Sequence, residues 1–261
     1  MLVTTKKTAN DSHILSEKIS VIIPAYNEAE HLKECVATLE TALQKLDLNF
    51  EVIITEDGST DGTDKVAQEL SDEDSAVKHL HNAVRLGRGK AVHKAFESAE
   101  GNVIIYTDVD LSTDLQHIAD MIKAVENGAD IATGSRLIRG SVVKRTFLRE
   151  MTSRVYNLLI RVMFRSPISD HQCGFKAFRK ATVGTLLNKV KGKHWFWDTE
   201  LIIRAVKQGY SVVEIPVKWV QSDETKVRLG SDAKQMTANM LKLWWQLKKE
   251  KKKLDISEKK E

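Results

Sequence analysis

The chain is short of cysteine. Cys35 and Cys173 are its two cysteines in 261 residues. Two isolated thiols make neither a disulfide framework nor a thiolate zinc site, which points to a reducing, cytoplasmic setting. Long apolar runs are missing too, so no segment reads as a bilayer span. The first residues, Met1 to Lys18, lack the apolar core of a signal peptide. No internal repeat is visible. The formal net charge of +4 is too mild to point to nucleic acid. Disorder is excluded by composition, with 42% hydrophobic and 29% charged residues. Any membrane association is therefore expected to be peripheral, on the cytoplasmic face, or through a membrane partner.

What is present is alternation. Lys18–Pro24 (KISVIIP) is a β-branched apolar run, the pattern of a strand buried on both faces. Leu32, Val36, Leu39, Leu43 and Leu46 follow at helical spacing. Further strands read at Phe50–Thr55, Val77–His81, Asn102–Thr107 and Asp130–Thr133, with helices between them. This order predicts an α/β fold, a Rossmann-like and mostly parallel sheet with helices on both faces. The second half is less regular. Arg149–Phe164 reads as a basic amphipathic helix, Trp197–Val206 as a helix, Val212–Trp219 as a strand and Ser231–Lys249 as a last helix. The expected organisation is a flexible leader over 1–17, one domain over 18–228, an amphipathic helix over 229–250 and a charged tail over 251–261.

Polar clusters fall where the strands end: Tyr26-Asn27-Glu28, Glu56-Asp57 and Asp108-Val109-Asp110. Ligands of open parallel sheets bind beyond the carboxyl ends of the strands. A D-x-D at such an end offers hard oxygen donors to Mg²⁺ or Mn²⁺, which can bridge the charges of a nucleoside diphosphate. Alone, a D-x-D is a weak signal, because acidic loop tips are common.

Three segments in order change that balance: Pro24-Ala25-Tyr26-Asn27-Glu28, Asp57-Gly58-Ser59-Thr60-Asp61-Gly62-Thr63 and Asp108-Val109-Asp110. Together they resemble the inverting family 2 glycosyltransferases of the GT-A fold. The resemblance implies that Pro24, Tyr26 and Glu28 line a nucleotide-sugar pocket and that Asp57 contacts the base. It implies that Asp108 and Asp110 bind ribose, diphosphate and a divalent metal. Asp61-Gly62-Thr63 reads more simply as a turn and helix start. Later segments narrow the likeness: His81-Asn82 with Arg85, Gly87, Gly89 and Lys90, then Gly134-Ser135-Arg136, Asp170 to Phe178, Trp197 to Glu200, and Glu214 to Val217 with Lys226 and Arg228. The series resembles the dolichyl-phosphate glucose and mannose synthases, within the polyprenyl-phosphate glycosyltransferases. Lys90 then belongs to a basic loop that cradles the donor.

That group implies attack of a lipid phosphate on the anomeric carbon of the donor sugar, with inversion and release of a nucleoside diphosphate. Arg136, Lys226 and Arg228 are the candidates to hold the lipid phosphate or the diphosphate, although each can equally be a solvated surface charge. Asp110, Asp198 and Arg136 are the catalytic candidates, Asp198 as a base or sugar-orienting carboxylate, or else as a helix cap. His171 and Cys173 read as local packing rather than metal ligands. Trp195 and Trp197 fit either sugar stacking or the core. The Arg149–Phe164 helix fits either packing on the domain or lying in a membrane interface. Ser112 stands where mannose synthases of this kind carry Gln after the D-x-D, which favours UDP-glucose over GDP-mannose. The competing expectations are a GDP-mannose enzyme, a family 2 enzyme with a soluble sugar or glycan acceptor, a nucleotidyltransferase, and a non-catalytic nucleotide-binding subunit.

Overall fold

The computed structural model describes residues 18–192, 196–221 and 229–257. Four parallel strands build the first half of the sheet: β1 (Ile19–Ala25), β2 (Phe50–Asp57), β3 (Val77–Asn82) and β4 (Val103–Tyr106). β1 lies between β2 and β4, with Ile19 opposite both Phe50 and Val103. The helices α1 (Leu32–Lys45), α2 (Thr63–Glu73), α3 (Arg88–Ser98) and α4 (Ile118–Glu126) connect or flank these strands. β5 (Ile131–Ser135), β7 (Lys176–Arg179) and β8 (Val212–Pro216) complete a seven-stranded sheet in the order β3-β2-β1-β4-β7-β5-β8. β7 alone runs antiparallel to its neighbours β4 and β5. A second, two-stranded sheet pairs β6 (Val142–Lys144) with β9 (Lys218–Val220).

Alternation along the strands divides the core in two. Val21, Ile23, Val52, Ile54 and Ile105 face α1 and α4, against Leu32, Leu39, Met121 and Val125. Ile22, Ile53, Ile104 and Tyr106 face the other way, against α3, α6 (Lys180–Leu187) and α7 (Trp197–Lys207). The uninterrupted apolar strands are thus explained by burial on both faces. A third cluster joins α5 (Phe147–Phe164) and α7 to α8 (Leu229–Ser257), through Ile160, Phe164, Phe196, Ile203, Met240 and Leu243.

Two elements differ from the reading of the sequence, and a third answers a question that it left open. The expected strand Val212–Trp219 is two strands in two sheets, broken around Pro216, which has no N–H to give a ladder. Helix α8 continues through Ser257, past the boundary at 250, because its Lys- and Glu-rich end consists of good helix formers. On α5 the apolar stripe of Val155, Leu158, Leu159 and Val162 faces outward, while Asn157, Ile160 and Phe164 are buried. No helix among the described residues is long and apolar enough to cross a membrane.

Candidate active site

The sheet order reverses between β1 and β4, and the site lies at the carboxyl ends flanking that crevice. Two loops are stitched together there. Asn27 adopts a left-handed backbone, tolerated by Asn, with φ of 54°. Its N–H donates to Ser59 Oγ at 3.0 Å, and its Oδ1 accepts from Thr60 N at 2.9 Å. The Glu28 N–H donates to Thr63 Oγ1 at 2.8 Å. Asp61 accepts from the N–H groups of Ala29 and Thr63, which ties the loops and starts α2. Tyr26, carried on the first loop, has the Arg85 guanidinium 3.6 Å from its ring centre.

Asp57 is 4% exposed. Its two carboxylate oxygens accept the N–H groups of Leu86 and Gly87 at 2.7 and 2.9 Å. It therefore clamps the loop after β3, the loop that carries Arg85. Gly58 makes the approach possible, since a Cβ there would stand 2.8 Å from Arg85 N and its φ is +70°. Lys90 is exposed on the first turn of α3, and Pro24 is half-buried at the end of β1.

Behind the D-x-D lies a layer of buried charge. Arg88 donates from Nε to Tyr106 Oη at 2.6 Å and from Nη2 to Asp108 Oδ1. Burial opposes the charge of Arg88, but the Asp108 carboxylate more than offsets it and holds the guanidinium protonated. Asp198 is 5% exposed, and Lys176 Nζ donates to it at 3.0 Å. It does not cap α7, whose N-cap is Phe196. The pair with Lys176 seats Asp198 away from solvent, where a carboxylate needs a partner to remain buried. Trp197 belongs to the core, packed near Phe96 and Tyr106, and is 2% exposed.

In front of that layer, acids gather on one side. Burial raises the Cys35 thiol, and Asp110, Glu28 and Asp108 raise it further, to about 12. Three carboxylates from the ends of β1 and β4 are thus within electrostatic reach of the start of α1. Asp110 is exposed, and its Oδ1 accepts from Ser112 N at 3.1 Å. Asp108 is wedged against Gly174, where a Cβ would stand 1.8 Å from Oδ2. Asp108 and Asp110, two carboxylates flanking one residue with Asp110 exposed, are oxygen donors of the kind that a hard divalent ion such as Mg²⁺ or Mn²⁺ takes.

Arg136 follows β5 and is held by Asp170, with Nε–Oδ2 and Nη2–Oδ1 distances of 2.7 and 2.9 Å. Burial works against the Asp170 charge, yet Arg136 brings its pKa down to about 2. The guanidinium carbons of Arg136 and Arg149 lie 5.4 and 5.6 Å from the Trp219 ring centre. Arg145 pairs with Glu150 at 2.5 Å, and its Nη2 is buried without a partner among the described residues. The fields of Asp108 and Asp110 reach Arg136 and Arg149 respectively. β9 and the D-x-D loop meet through a bridge between Thr113 and Trp219.

Of the residues singled out in the sequence, Tyr26, Glu28, Asp57, Asp108, Asp110 and Arg136 come together at this end of the sheet. Asp198 lies one layer behind. Lys226, Arg228 and Trp195 lie outside the described residues. Sequence reasoning did not single out Arg88 or Arg145. It placed Arg149 on a helix left open between packing on the domain and a membrane interface, and Gly174 in a motif with no stated contact. His171 packs locally, with Nε2 2.9 Å from Ser166 Oγ and Nδ1 3.0 Å from Asn157 Oδ1.

This architecture is that of the GT-A fold. Glucosyl-3-phosphoglycerate synthase from Mycobacterium tuberculosis, solved with Mn²⁺, UDP and phosphoglyceric acid, superposes with a TM-score of 0.65. The match is 18% identical and covers 88% of this chain and 79% of that one. The glycosyl transferase family 2 profile matches residues 20–187, and the chain belongs to that family. It is 44% identical over 233 residues to glycosyltransferase AglD of Haloferax volcanii, covering 88% of this chain and 37% of AglD. It is 37% identical over 204 residues to a dolichol-phosphate mannosyltransferase of Pyrococcus furiosus, covering 76% of this chain and 55% of that protein. It is 29% identical over 244 residues to a dolichyl-phosphate beta-glucosyltransferase of Drosophila melanogaster, covering 88% of this chain and 75% of that protein. The chain thus spans well under two thirds of the first two relatives.

Proposed function

We propose that this chain transfers a hexose, with inversion, from a nucleotide sugar to the phosphate of a dolichyl or polyprenyl lipid, and that the donor is UDP-glucose. The observation that carries the reading is the arrangement of charge. Arg136 and Arg149 both face the Trp219 ring, β9 is bridged through Trp219 to Thr113 just after the D-x-D, and the charges of Asp108 and Asp110 reach these two arginines. Beside them, α5 exposes Phe147, Leu148, Val155, Leu158, Leu159 and Val162. One cleft then offers a donor side, an anion side and an apolar approach.

On the donor side, Tyr26 and the Asp57 clamp form the base pocket, with Lys90 and Arg85 near the phosphates. Asp108 and Asp110 would hold Mg²⁺ or Mn²⁺, which neutralises charge building on the leaving diphosphate. Arg88 fixes the direction of Asp108. On the acceptor side, Arg145 and Arg149, with Arg136 behind them, attract a phosphate monoester. Lys226 and Arg228 are proposed to join them. Such a phosphate is already anionic near neutral pH and needs little general-base help, so positioning and charge supply most of the rate. Asp198 then acts as a positioning residue, through Lys176 and the layer under Asp108. The α5 face and the lysines of α8 make peripheral contact with a membrane surface, or with a membrane partner.

The test offers radiolabelled UDP-glucose and GDP-mannose in parallel, with Mg²⁺ or Mn²⁺ and a short polyprenyl phosphate. Label entering the organic phase from UDP-glucose is the expected result. Transfer from GDP-mannose alone would overturn the donor and keep the acceptor. Label entering only a soluble sugar or glycan would overturn the acceptor.

A further inference from the structure

A second cluster of metal-ligand chemistry lies outside the D-x-D. Glu56, next to Asp57 at the end of β2, is directly opposite His81 on β3. His79 precedes His81 by two residues, so both imidazoles project from the same face of the strand. Ligand atoms of Glu56, His79 and His81 lie within 4.8 Å of one another. β3 is the edge strand of the sheet. The two histidines line a groove of about 490 Å³ between β3 and α2, whose helical wall carries Asp64, Glu69 and Asp72 beside Lys65 and Gln68.

The present hydrogen bonds do not use all of this capacity. His81 Nδ1 is 2.6 Å from Glu56 Oε2, and Glu56 Oε1 accepts the Ser59 N–H. His79 Nδ1 is 3.2 Å from Gln68 Oε1. His79 Nε2 is buried and has no partner among the described residues. A buried imidazole nitrogen without a partner costs free energy unless something occupies it. A simple ion pair between Glu56 and His81 accounts for the other two side chains, but not for this nitrogen.

We propose that Glu56, His79 and His81 form a binding site for a zinc-class divalent ion, separate from the Mg²⁺ or Mn²⁺ site at Asp108 and Asp110. Two imidazoles and one carboxylate suit zinc, whereas Mg²⁺ and Mn²⁺ favour all-oxygen sets. A tetrahedral zinc ion would draw the ligand atoms to about 3.4 Å apart. The half-exposed His81 side chain has room to make that adjustment. Water or a carboxylate of the α2 wall completes the set. The ion would pin the edge strand to β2. It would also load the same carboxylate that holds the Ser59 turn, which in turn holds Asn27. The site thus touches the frame of the base pocket without lying in it.

The test uses the full chain without an affinity tag. Zinc stoichiometry and affinity are measured by competition with a chromophoric chelator, and Co²⁺ substitution reports the ligand type by visible absorption. The expected result is one tight ion per chain with a Co²⁺ spectrum of mixed nitrogen and oxygen ligation. It persists in Asp108→Asn/Asp110→Asn. It weakens in His79→Gln and in His81→Gln by more than the roughly 10–100-fold that loss of a supporting partner costs. Equal melting temperatures of wild type and His79→Gln without metal would establish that the variant is folded. Should His79→Gln melt lower, the Co²⁺ spectrum of the wild-type chain decides the matter alone. Absence of a tight ion, affinity unchanged by folded His79→Gln, a Co²⁺ spectrum without nitrogen ligation, or binding lost only in the aspartate variant would each overturn the proposal.

Discussion

Asp108 owes its position to a residue with no side chain. A Cβ on Gly174 would fall 1.8 Å from its Oδ2, so Gly174→Ala must displace the carboxylate or β7. Overpacking of this kind costs about 1–3 kcal/mol, while a displacement of about 1 Å at a reacting group costs on the order of 100-fold in rate. Steady-state kinetics of Gly174→Ala should therefore show a loss near 100-fold in kcat, with a melting temperature lowered by a few degrees. An unchanged kcat would contradict the role given to Asp108. Asp57 gives a different signature. In Asp57→Ala the N–H groups of Leu86 and Gly87 lose their acceptor, at about 1–3 kcal/mol each where they remain buried. Donor KM should rise more than kcat falls, because on the proposed function the clamp shapes the base pocket and not the reacting centre. His171 sets a pH dependence. Burial lowers its pKa from 6.5 to about 4, so the unfolded chain binds the extra proton first. Its contribution is present above pH 6.5 and is lost as pH falls toward 4, by about 3 kcal/mol in total. Denaturant unfolding across that window should show a slope that His171→Gln flattens. His79, lowered by burial and by His81, adds to the slope with the same sign.

At the scale of the element, α5 shows what a sequence can and cannot reveal. Its apolar spacing was legible, but a stripe does not say which side meets the core. Asn157 takes the buried side because its Oδ1 accepts from the His171 backbone N–H at 2.9 Å, a contact made only in the folded chain. The outward stripe should then be replaceable without loss of stability. Leu158→Glu/Val162→Glu is expected to leave the melting temperature unchanged, as surface substitutions usually do. It should reduce co-sedimentation with vesicles of anionic lipid. Undiminished co-sedimentation would remove this face from the account. The strands β1, β2 and β4 were legible for the opposite reason. Burial on both faces demands unbroken apolar runs, and VIIY or EVIIT can hardly be anything else. β7 was not legible. It is four residues long, and its Lys176 is buried against Asp198, so no alternation survives. The acids of the site were readable because each follows a strand within a compact motif. Arg88 and Arg149 were not, because their contacts, Asp108 and Trp219, lie far off in sequence and only the fold brings them together, and Arg145, paired locally with Glu150, belongs to no motif.

The whole molecule is organised around one cleft. Two apolar layers on either side of the sheet fix β1, β2 and β4, and their ends carry Tyr26, Asp57, Asp108 and Asp110. A third cluster holds α5 against α7 and α8, and α5 carries Arg149 together with the exposed apolar face. On the proposed function, the charges of these acids and arginines are the main catalytic resource. Their removal should therefore be felt in the rate and not in the fold. The most direct measurement is transfer of label from UDP-glucose into polyprenyl phosphate by the wild-type chain and by Asp110→Ala, at equal concentration and with Mg²⁺ or Mn²⁺ present. The account predicts organic-phase product from the wild type and a loss on the order of 100-fold or more in Asp110→Ala, with an unchanged circular dichroism spectrum. Equal transfer by the two proteins would contradict the assignment of the cleft.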